Sequence, residues 1–434
     1  MQVYRVQPGG CLGNELRVPG DKSISHRAIM LGAIAQGITE ITGFLEGEDA
    51  LATMNAFRAL GVSIEGPDQG QVRVHGVGLH GLRPSPNALD CGNSGTSMRL
   101  LAGLLAGQAF STTLTGDSSL CQRPMGRVAD PLRLMKARID TAAQGRPPLH
   151  IEGNSALRGM AYTLPMASAQ VKSCVLLAGL YAIGETSVTE PEITRDHTER
   201  MLESFGVPVL RQGRTVTVTG GSVLQAAPIE VPADISSAAF FMVGASIAPG
   251  SDILLLGVGI NPTRTGVIEI LRLMGADIQI QREWQAGGEP LADIRVRYAP
   301  LHGIAIPPEL VPLAIDEFPV LFIAAACAQG RTVLTQAAEL RVKESDRLQV
   351  MAMGLQELGV NCVVQDDGIV IEGGTGYHGG RVNSHGDHRI AMSFAMAALR
   401  ASGTIDILDC ANVATSFPGF VALARAAGLR IEAP

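Results

Sequence analysis

Aromatic side chains are scarce in this sequence. They make up 4% of 434 residues, with one tryptophan, which leaves little material for a platform on which nucleic-acid bases stack. Positive charge is not in excess either: the formal net charge of −7 argues against a general polyanion-binding surface, so any anion site has to be local. Also missing is an unbroken run of about 18 apolar residues, the length that suggests a membrane span. The opening MQVYRV reads as a strand rather than a signal or transit peptide, so cytoplasmic residence is expected, with neither membrane nor nucleic acid as a partner. The seven cysteines (Cys11, Cys91, Cys121, Cys174, Cys327, Cys362, Cys410) are scattered, odd in number and form no C-x-x-C pair. That pattern suggests neither a disulfide framework nor a zinc site, and most of them are expected to be small apolar fillers.

Familiar catalytic signatures are absent as well. No nucleophile elbow or Ser/His/Asp ordering occurs, and PGDKS at 19–23 lacks the upstream glycine spacing of a P-loop. Gly374–Gly379 (GTGYHG) follows a strand but no helix follows it directly, so a hairpin turn is expected rather than a dinucleotide site. His385 and His388 stand three apart without further clustered ligands, and no metal is expected.

What the chain does have is apolar material, 46% of its residues, enough for more than one core and for two or three domains. It also repeats itself. A strand, a loop and a helix ending near a small residue recur six times, with Gly61, Ala137, Gly206, Gly275, Gly359 and Gly428 marking the helix ends at a spacing of roughly 70 residues, too long for a solenoid unit. Between these copies lie six segments with a polar start and a body rich in Ala, Leu, Val and Met: DKSISHRAIMLGAIAQG, GNSGTSMRLLAGLLAG, SAQVKSCVLLAGLYAIG, DISSAAFFMVGASIAPG, DEFPVLFIAAACAQG and DHRIAMSFAMAALRASG. A helix apolar on every face is buried in its domain. With strands such as QVRVHGV, TVTVTG and GIVIEG, each pair completes a β-α-β-α-β-β unit. The expected fold is α/β, with six such units, three in each of two domains.

The chemistry concentrates where those buried helices begin. A helix start carries unpaired N–H groups and a partial positive charge that favours anions. Asp, Ser and Asn there serve as caps, but capping does not require Lys22, Arg27, His388 or Arg389. Further cations fall in the polar segments of the repeats: Arg123, Lys172, Arg195, Lys343 and Arg347. Guanidinium groups pair bidentately with phosphate and carboxylate, so this set points to ligands carrying several of both. Acid–base candidates are Asp316 and Glu317, which open DEFPVLFIAAACA, and Glu344, whose neighbours Lys343 and Arg347 favour its ionised form. Capping and an i,i+3 ion pair of Glu344 with Arg347 would account for the same carboxylates.

In order along the chain, PGDKSISHRA, LDCGNSGTSMRL, QRPMGR, MASAQVKS, TRDHTERML, DEFP, ELRVKESDRL, GDHRIAMSF and ATSFP resemble the motifs of the 5-enolpyruvylshikimate-3-phosphate synthase family, most closely its class II bacterial branch. The match runs from about Gly20 to Pro418. It implies the two-domain enolpyruvyl transferase fold with three-fold pseudosymmetry in each domain, residues 20–233 forming one and 1–19 plus 234–434 the other, with the active site in the cleft between them. It also implies transfer of the enolpyruvyl group of phosphoenolpyruvate to the 5-hydroxyl of shikimate 3-phosphate with release of phosphate, no cofactor, and a monomer. Carried over by position, Ser23, Arg27, Ser168, Arg195 and Lys343 would hold shikimate 3-phosphate, and Gln170 would lie near both substrates. Lys22, Gly95, Arg123, Arg347 and Arg389 would surround phosphoenolpyruvate, with His388 beside it. Asp316 would be the base at the 5-hydroxyl, with Glu344 and Lys22 also handling protons.

Departures from the family pattern are Ala169, where class I members have a second serine, and Thr415, where they have lysine. Gly95 leaves room for an analogue longer than phosphoenolpyruvate, so sensitivity to glyphosate is expected. The related UDP-N-acetylglucosamine enolpyruvyl transferases use a loop cysteine, and Cys121 lies in a similar place. Its position two residues before Arg123, together with RVKESDRL and GDHR, favours the shikimate family. A non-catalytic anion-binding scaffold built on the same repeats would have no need of both Asp316 and Glu344.

Overall fold

The computed structural model describes residues 2–153, 156–374 and 376–433. They separate into two compact units. The first comprises Gly20–Val231 with Ala286–Glu289, and the second Met1–Pro19, Pro232–Gln285 and Pro290–Pro434. Each unit has its own continuous apolar core.

Twelve helices are present among the described residues: α1 (Lys22–Ile34), α2 (Glu48–Ala59), α3 (Gly95–Ala106), α4 (Gly126–Leu134), α5 (Ala169–Gly179), α6 (His197–Ser204), α7 (Ile235–Ile247), α8 (Gly266–Leu273), α9 (Phe318–Cys327), α10 (Arg347–Glu357), α11 (His388–Ala397) and α12 (Phe420–Ala427). The odd-numbered helices are the apolar segments of the sequence. α7 is buried at all of its positions and α11 likewise, because no face of either carries enough polar surface to meet water. The even-numbered helices bury one face only; in α6, Met201 and Leu202 are buried while Glu203 is exposed.

Six sheets accompany them, three in each unit. In the first unit the four-stranded sheets repeat one pattern, a parallel pair followed by two antiparallel pairings. Leu89–Asp90 runs parallel to Thr112–Thr115, then Arg146–Glu152 and Arg138–Ala142 follow antiparallel. Ala161–Thr163, Glu185–Thr189, Thr215–Thr219 and Val209–Gln212 do the same. In Thr215–Thr219, Val216 and Val218 are buried and the threonines face outward, the period of two that a sheet with one wet face requires.

Two strands are exchanged between repeats. Glu15–Leu16 precedes α1 but runs parallel to Asp252–Gly259 of the second unit. Ile229–Glu230 precedes α7 but runs parallel to Gln36–Thr42 of the first. The last repeat is closed by the start of the chain, since Tyr4–Val6 pairs with both Ile405–Leu408 and Ile431–Glu432. In the fifth repeat the first strand is reduced to bridges from His302 and Ala305 to Gln329 and Val333.

The outer helices end in a common way, with a left-handed residue after the last turn: Gly61, Gly206, Gly275, Gly359 and Gly428 all have positive φ, a conformation that glycine adopts without cost. In the second copy the left-handed residue is Lys136, at φ 73°, next to Ala137. The expected hairpin at 374–379 is corrected. Gly368–Gly373 and Gly380–Asn383 belong to different sheets, so the segment links two sheets; its Thr375 lies outside the described residues. None of the helices among the described residues is long and apolar enough to cross a membrane.

In the first unit α3 and α5 pack closely at Gly103. A Cβ on Gly103 would fall 2.1 Å from the Cys174 carbonyl oxygen, so this helix pair depends on glycine for its spacing. Gly103→Ala is expected to lower stability by about 1–3 kcal/mol or more, read as a fall in the denaturation midpoint.

Candidate active site

In the first unit the polar residues gather at the starts of α1, α3 and α5. Asp21 caps α1 by accepting from the Ile24 amide, Ser94 caps α3 from Ser97, and Ser168 caps α5 from Val171. Capping engages the Ser168 oxygen as an acceptor and leaves its O–H to donate. Lys22, the first residue of α1, sits 3.0 Å from Asp49 of α2. Arg27, one and a half turns on, is buried, yet its partners are all neutral oxygens: Nε donates to Thr198 Oγ1 at 2.7 Å, one terminal nitrogen to the Ser23 carbonyl at 2.9 Å and the other to Ser173 Oγ at 2.9 Å. Burial brings its pKa down to about 10, with Glu199 and Asp21 opposing and Arg195 adding to the fall.

Gly95 opens α3. Arg123 reaches back to Asn93 Oδ1 at 2.6 Å, and Asn93 in turn donates to Asp117 at 2.7 Å. Gln170 is held from two sides, accepting from Arg99 at 2.5 Å and donating to Thr96 Oγ1 at 3.0 Å. Arg195 is half-buried just before α6. The structure therefore brings Lys22, Ser23, Arg27, Gly95, Arg123, Ser168, Gln170 and Arg195 into one unit, on or beside the helix starts that the repeats marked.

Lys172 is the exception, and its reading as a ligand-facing cation is corrected. It is 1% exposed and lies 2.7 Å from both Glu190 and Glu199, themselves buried. Burial pulls its pKa down, but the two carboxylates outweigh that and leave it raised, so Lys172 is a structural cation with its charge compensated inside the core.

In the second unit the centre is Arg347, the first residue of α10 and almost fully buried. Its Nε lies 2.8 Å from Asp387 Oδ2, one terminal nitrogen 2.7 Å from Glu344 Oε2 and the other 3.3 Å from Asp316 Oδ1. Burial would lower its pKa, yet Asp387, Glu344 and Asp316 together hold it well above the usual guanidinium value. Lys343 shares the Asp316 oxygen at 3.3 Å. Asp387 does double duty, capping α11 through the Arg389 amide and accepting from Ser345 Oγ at 3.0 Å. His388 and Arg389, the first two residues of α11, are both buried. His385 is exposed and left-handed at φ 51°; among the described residues no group of three or more His, Cys, Asp or Glu could hold a metal ion.

Residues 6–423 match the family described as EPSP synthase (3-phosphoshikimate 1-carboxyvinyltransferase). The chain belongs to this family. It is 66% identical over 430 residues to the 3-phosphoshikimate 1-carboxyvinyltransferase of Methylococcus capsulatus, covering 99% of this chain and 98% of that one. Against the protein of the same name from Legionella pneumophila, identity is 58% over 426 residues, 98% of each chain. The solved EPSP synthase from Acinetobacter baumannii is similar over 100% of both chains, with a TM-score of 0.90 and 59% identity. The enolpyruvyl transferase NikO from Streptomyces tendae, 16% identical, shares the fold with a TM-score of 0.81 over 100% of this chain and 99% of that one. The two-domain enolpyruvyl transferase architecture with six repeats is thus that of EPSP synthase.

For an EPSP synthase the partners of the motif residues matter as much as the motif, and reading the sequence missed several. Asp49, Asn93, Thr96 and Arg99 hold Lys22, Arg123 and Gln170, while Asp387 holds Arg347. Arg99 left a signal, a guanidinium within the apolar run of α3; Asp49 left none, since an acid in the first turn of a helix reads as an ordinary dipole partner. The departures are quiet: Thr415 Oγ1 donates to the Asn412 carbonyl at 2.7 Å, and Cys121 Sγ points to the Gly116 carbonyl at 3.4 Å.

A Cβ at Gly95 would lie 3.1 Å from one terminal nitrogen of Arg99 and 3.4 Å from one of Arg123. Gly95→Ala should therefore push the Arg99 guanidinium aside and crowd that of Arg123, with a rise of about fivefold (~1 kcal/mol) in the KM for phosphoenolpyruvate.

His26, on the buried side of α1, contacts Thr53 Oγ1 at 2.7 Å, and Thr53 in turn contacts Ser97 Oγ at 2.6 Å. Burial first, then Lys22 and Arg27, bring its pKa from 6.5 down to about 3. Below about pH 6.5 the unfolded chain takes up a proton that the folded chain refuses until about pH 3, so stability from this group is full above that window and lost through it as pH falls. His26→Gln is expected to flatten the fall of unfolding free energy between about pH 6 and 4, measured by denaturant titration at each pH.

Proposed function

We propose that the two clusters serve one reaction, in which Lys22, Ser23, Arg27, Ser168, Gln170, Arg195, Asp316 and Lys343 hold shikimate 3-phosphate, and Lys22, Gly95, Arg123, Gln170, Arg347, His388 and Arg389 hold phosphoenolpyruvate. The chain transfers the enolpyruvyl group of phosphoenolpyruvate to the 5-hydroxyl of shikimate 3-phosphate and releases phosphate, a step of the shikimate pathway to chorismate and aromatic amino acids. One observation carries the assignment of residues. In a chain of net charge −7, guanidinium and ammonium groups concentrate at or next to helix starts in both units, with the carboxylates of Asp316 and Glu344 among them.

The chemistry asks for both kinds of group. A proton added at C3 of phosphoenolpyruvate leaves C2 electrophilic, the 5-hydroxyl oxygen bonds to C2, and its proton passes to a base. Loss of a C3 proton and departure of phosphate from C2 then restore the double bond in the product. Acid and base exchange roles between addition and elimination. Asp316, flanked by Lys343 and Arg347, is the base at the hydroxyl, and Glu344 and Lys22 handle the C3 proton. Oriented guanidinium groups supply the charge stabilisation that phosphate departure needs. The cysteines, free thiols throughout, suit a reducing compartment, and we place the reaction on a single chain in the cytoplasm.

Phosphate release from phosphoenolpyruvate by purified protein in metal-free buffer is expected only when shikimate 3-phosphate is also present. Asp316→Asn should lower kcat by about 10²–10⁴-fold with shikimate 3-phosphate still bound. Release supported by UDP-N-acetylglucosamine instead would reassign the acceptor.

A further inference from the structure

Glu317 is adjacent to Asp316 but its surroundings are different. The residue is 2% exposed, and its side chain does not cap the helix it precedes. Ser236 Oγ donates to its Oε1. Two guanidinium groups approach that same oxygen, Arg389 at 3.7 Å and Arg264 at 4.0 Å. Arg264 is anchored elsewhere, 2.7 Å from Ser236 Oγ and 3.3 Å from Asp234. Oε2 is buried and accepts no hydrogen bond among the described residues. A buried carboxylate with half of its acceptor capacity unused is not placed there for stability, since an apolar residue of similar volume would cost less.

We propose that Glu317 is a positioning residue for Arg389. Its charge is the shared counter-ion of Arg264 and Arg389, and it draws the Arg389 guanidinium inward at the start of α11 against the repulsion of Arg264. Ser236 fixes the carboxylate and Arg264 is tied to Asp234, so Arg389 is the member of the set that moves when the charge is removed. The proposal rests on the assignment of Arg389 to phosphoenolpyruvate. It also takes Glu317 out of the proton transfers, for which its neighbour Asp316 is used.

The test compares Glu317→Gln, which keeps size and an acceptor for Ser236, with Glu317→Asp, which keeps the charge, and with Arg389→Ala. For Glu317→Gln the KM for phosphoenolpyruvate should rise about tenfold, with the KM for shikimate 3-phosphate and kcat within about twofold of the parent. Competitive inhibition by inorganic phosphate should weaken in parallel, and Glu317→Asp should recover part of the loss. Equal rises in both KM values, a fall in kcat alone, or an unchanged phosphoenolpyruvate KM would overturn the proposal. If Glu317→Gln does not fold, Glu317→Asp carries the test, and KM values for the two substrates that rise alike or stay unchanged in it would sink the proposal. Should Arg389→Ala itself leave that KM unchanged, the assignment of Arg389 fails, whereas a large effect there with none in Glu317→Gln removes only the role of Glu317.

Discussion

The structure depends on one constraint: six helices that are apolar on every face have to be buried, and a buried helix takes the unpaired N–H groups of its first turn inward with it. Those groups need acceptors where water is scarce. Asp21, Ser94, Ser168, Asp234 and Asp387 supply them in five of the six. The consequence is a set of helix starts that are polar, rigidly held and embedded in two apolar cores. Such positions suit charged recognition, because a side chain there has fixed neighbours and a low surrounding dielectric strengthens each charge interaction. The sheets close each unit around these helices and contribute none of the proposed substrate-binding side chains.

Burying cations carries a desolvation cost of several kcal/mol each unless charge is returned nearby. The second unit returns it almost completely: Arg347 has three carboxylates, Lys343 shares one of them, and Arg389 and Arg264 share Glu317. Asp387 serves both purposes at once, capping α11 and gripping Arg347, so fold and site meet in one carboxylate. That economy explains why the Asp of its motif, GDHR, stands one residue before the helix rather than inside it.

Much of this was legible beforehand because the repeats carry physical punctuation. All-apolar helices, polar starts and a small residue near the end of each outer helix follow from period and composition, and the six repeats read from them are present. Lys136 shows the limit: a lysine in a left-handed position looks in sequence like any exposed lysine. The exchange of Glu15–Leu16 and Ile229–Glu230 between repeats was hidden for a different reason. Strand partners are set by three-dimensional closure, and two-residue strands carry no periodicity to reveal them. Asp49 and Asn93 are illegible in sequence as partners of the motif residues because their roles lie in whom they touch.

Lys172 and Arg27 show what separates a cation neutralised in the core from one whose charge stays available when both lie within buried helices. Each is in a motif that the sequence singles out, and Glu199 acts on both. Lys172 is enclosed by two carboxylates at 2.7 Å, so its charge is spent within the core and an added anion would meet a site already negative. Arg27 is fixed by a carbonyl and two hydroxyls, which set its direction without cancelling its charge. Neutral partners orient; charged partners neutralise. A guanidinium that is buried yet hydrogen-bonded only to neutral oxygens keeps more of its charge available to an anion, which is why Arg27 and not Lys172 is among the residues proposed to bind substrate.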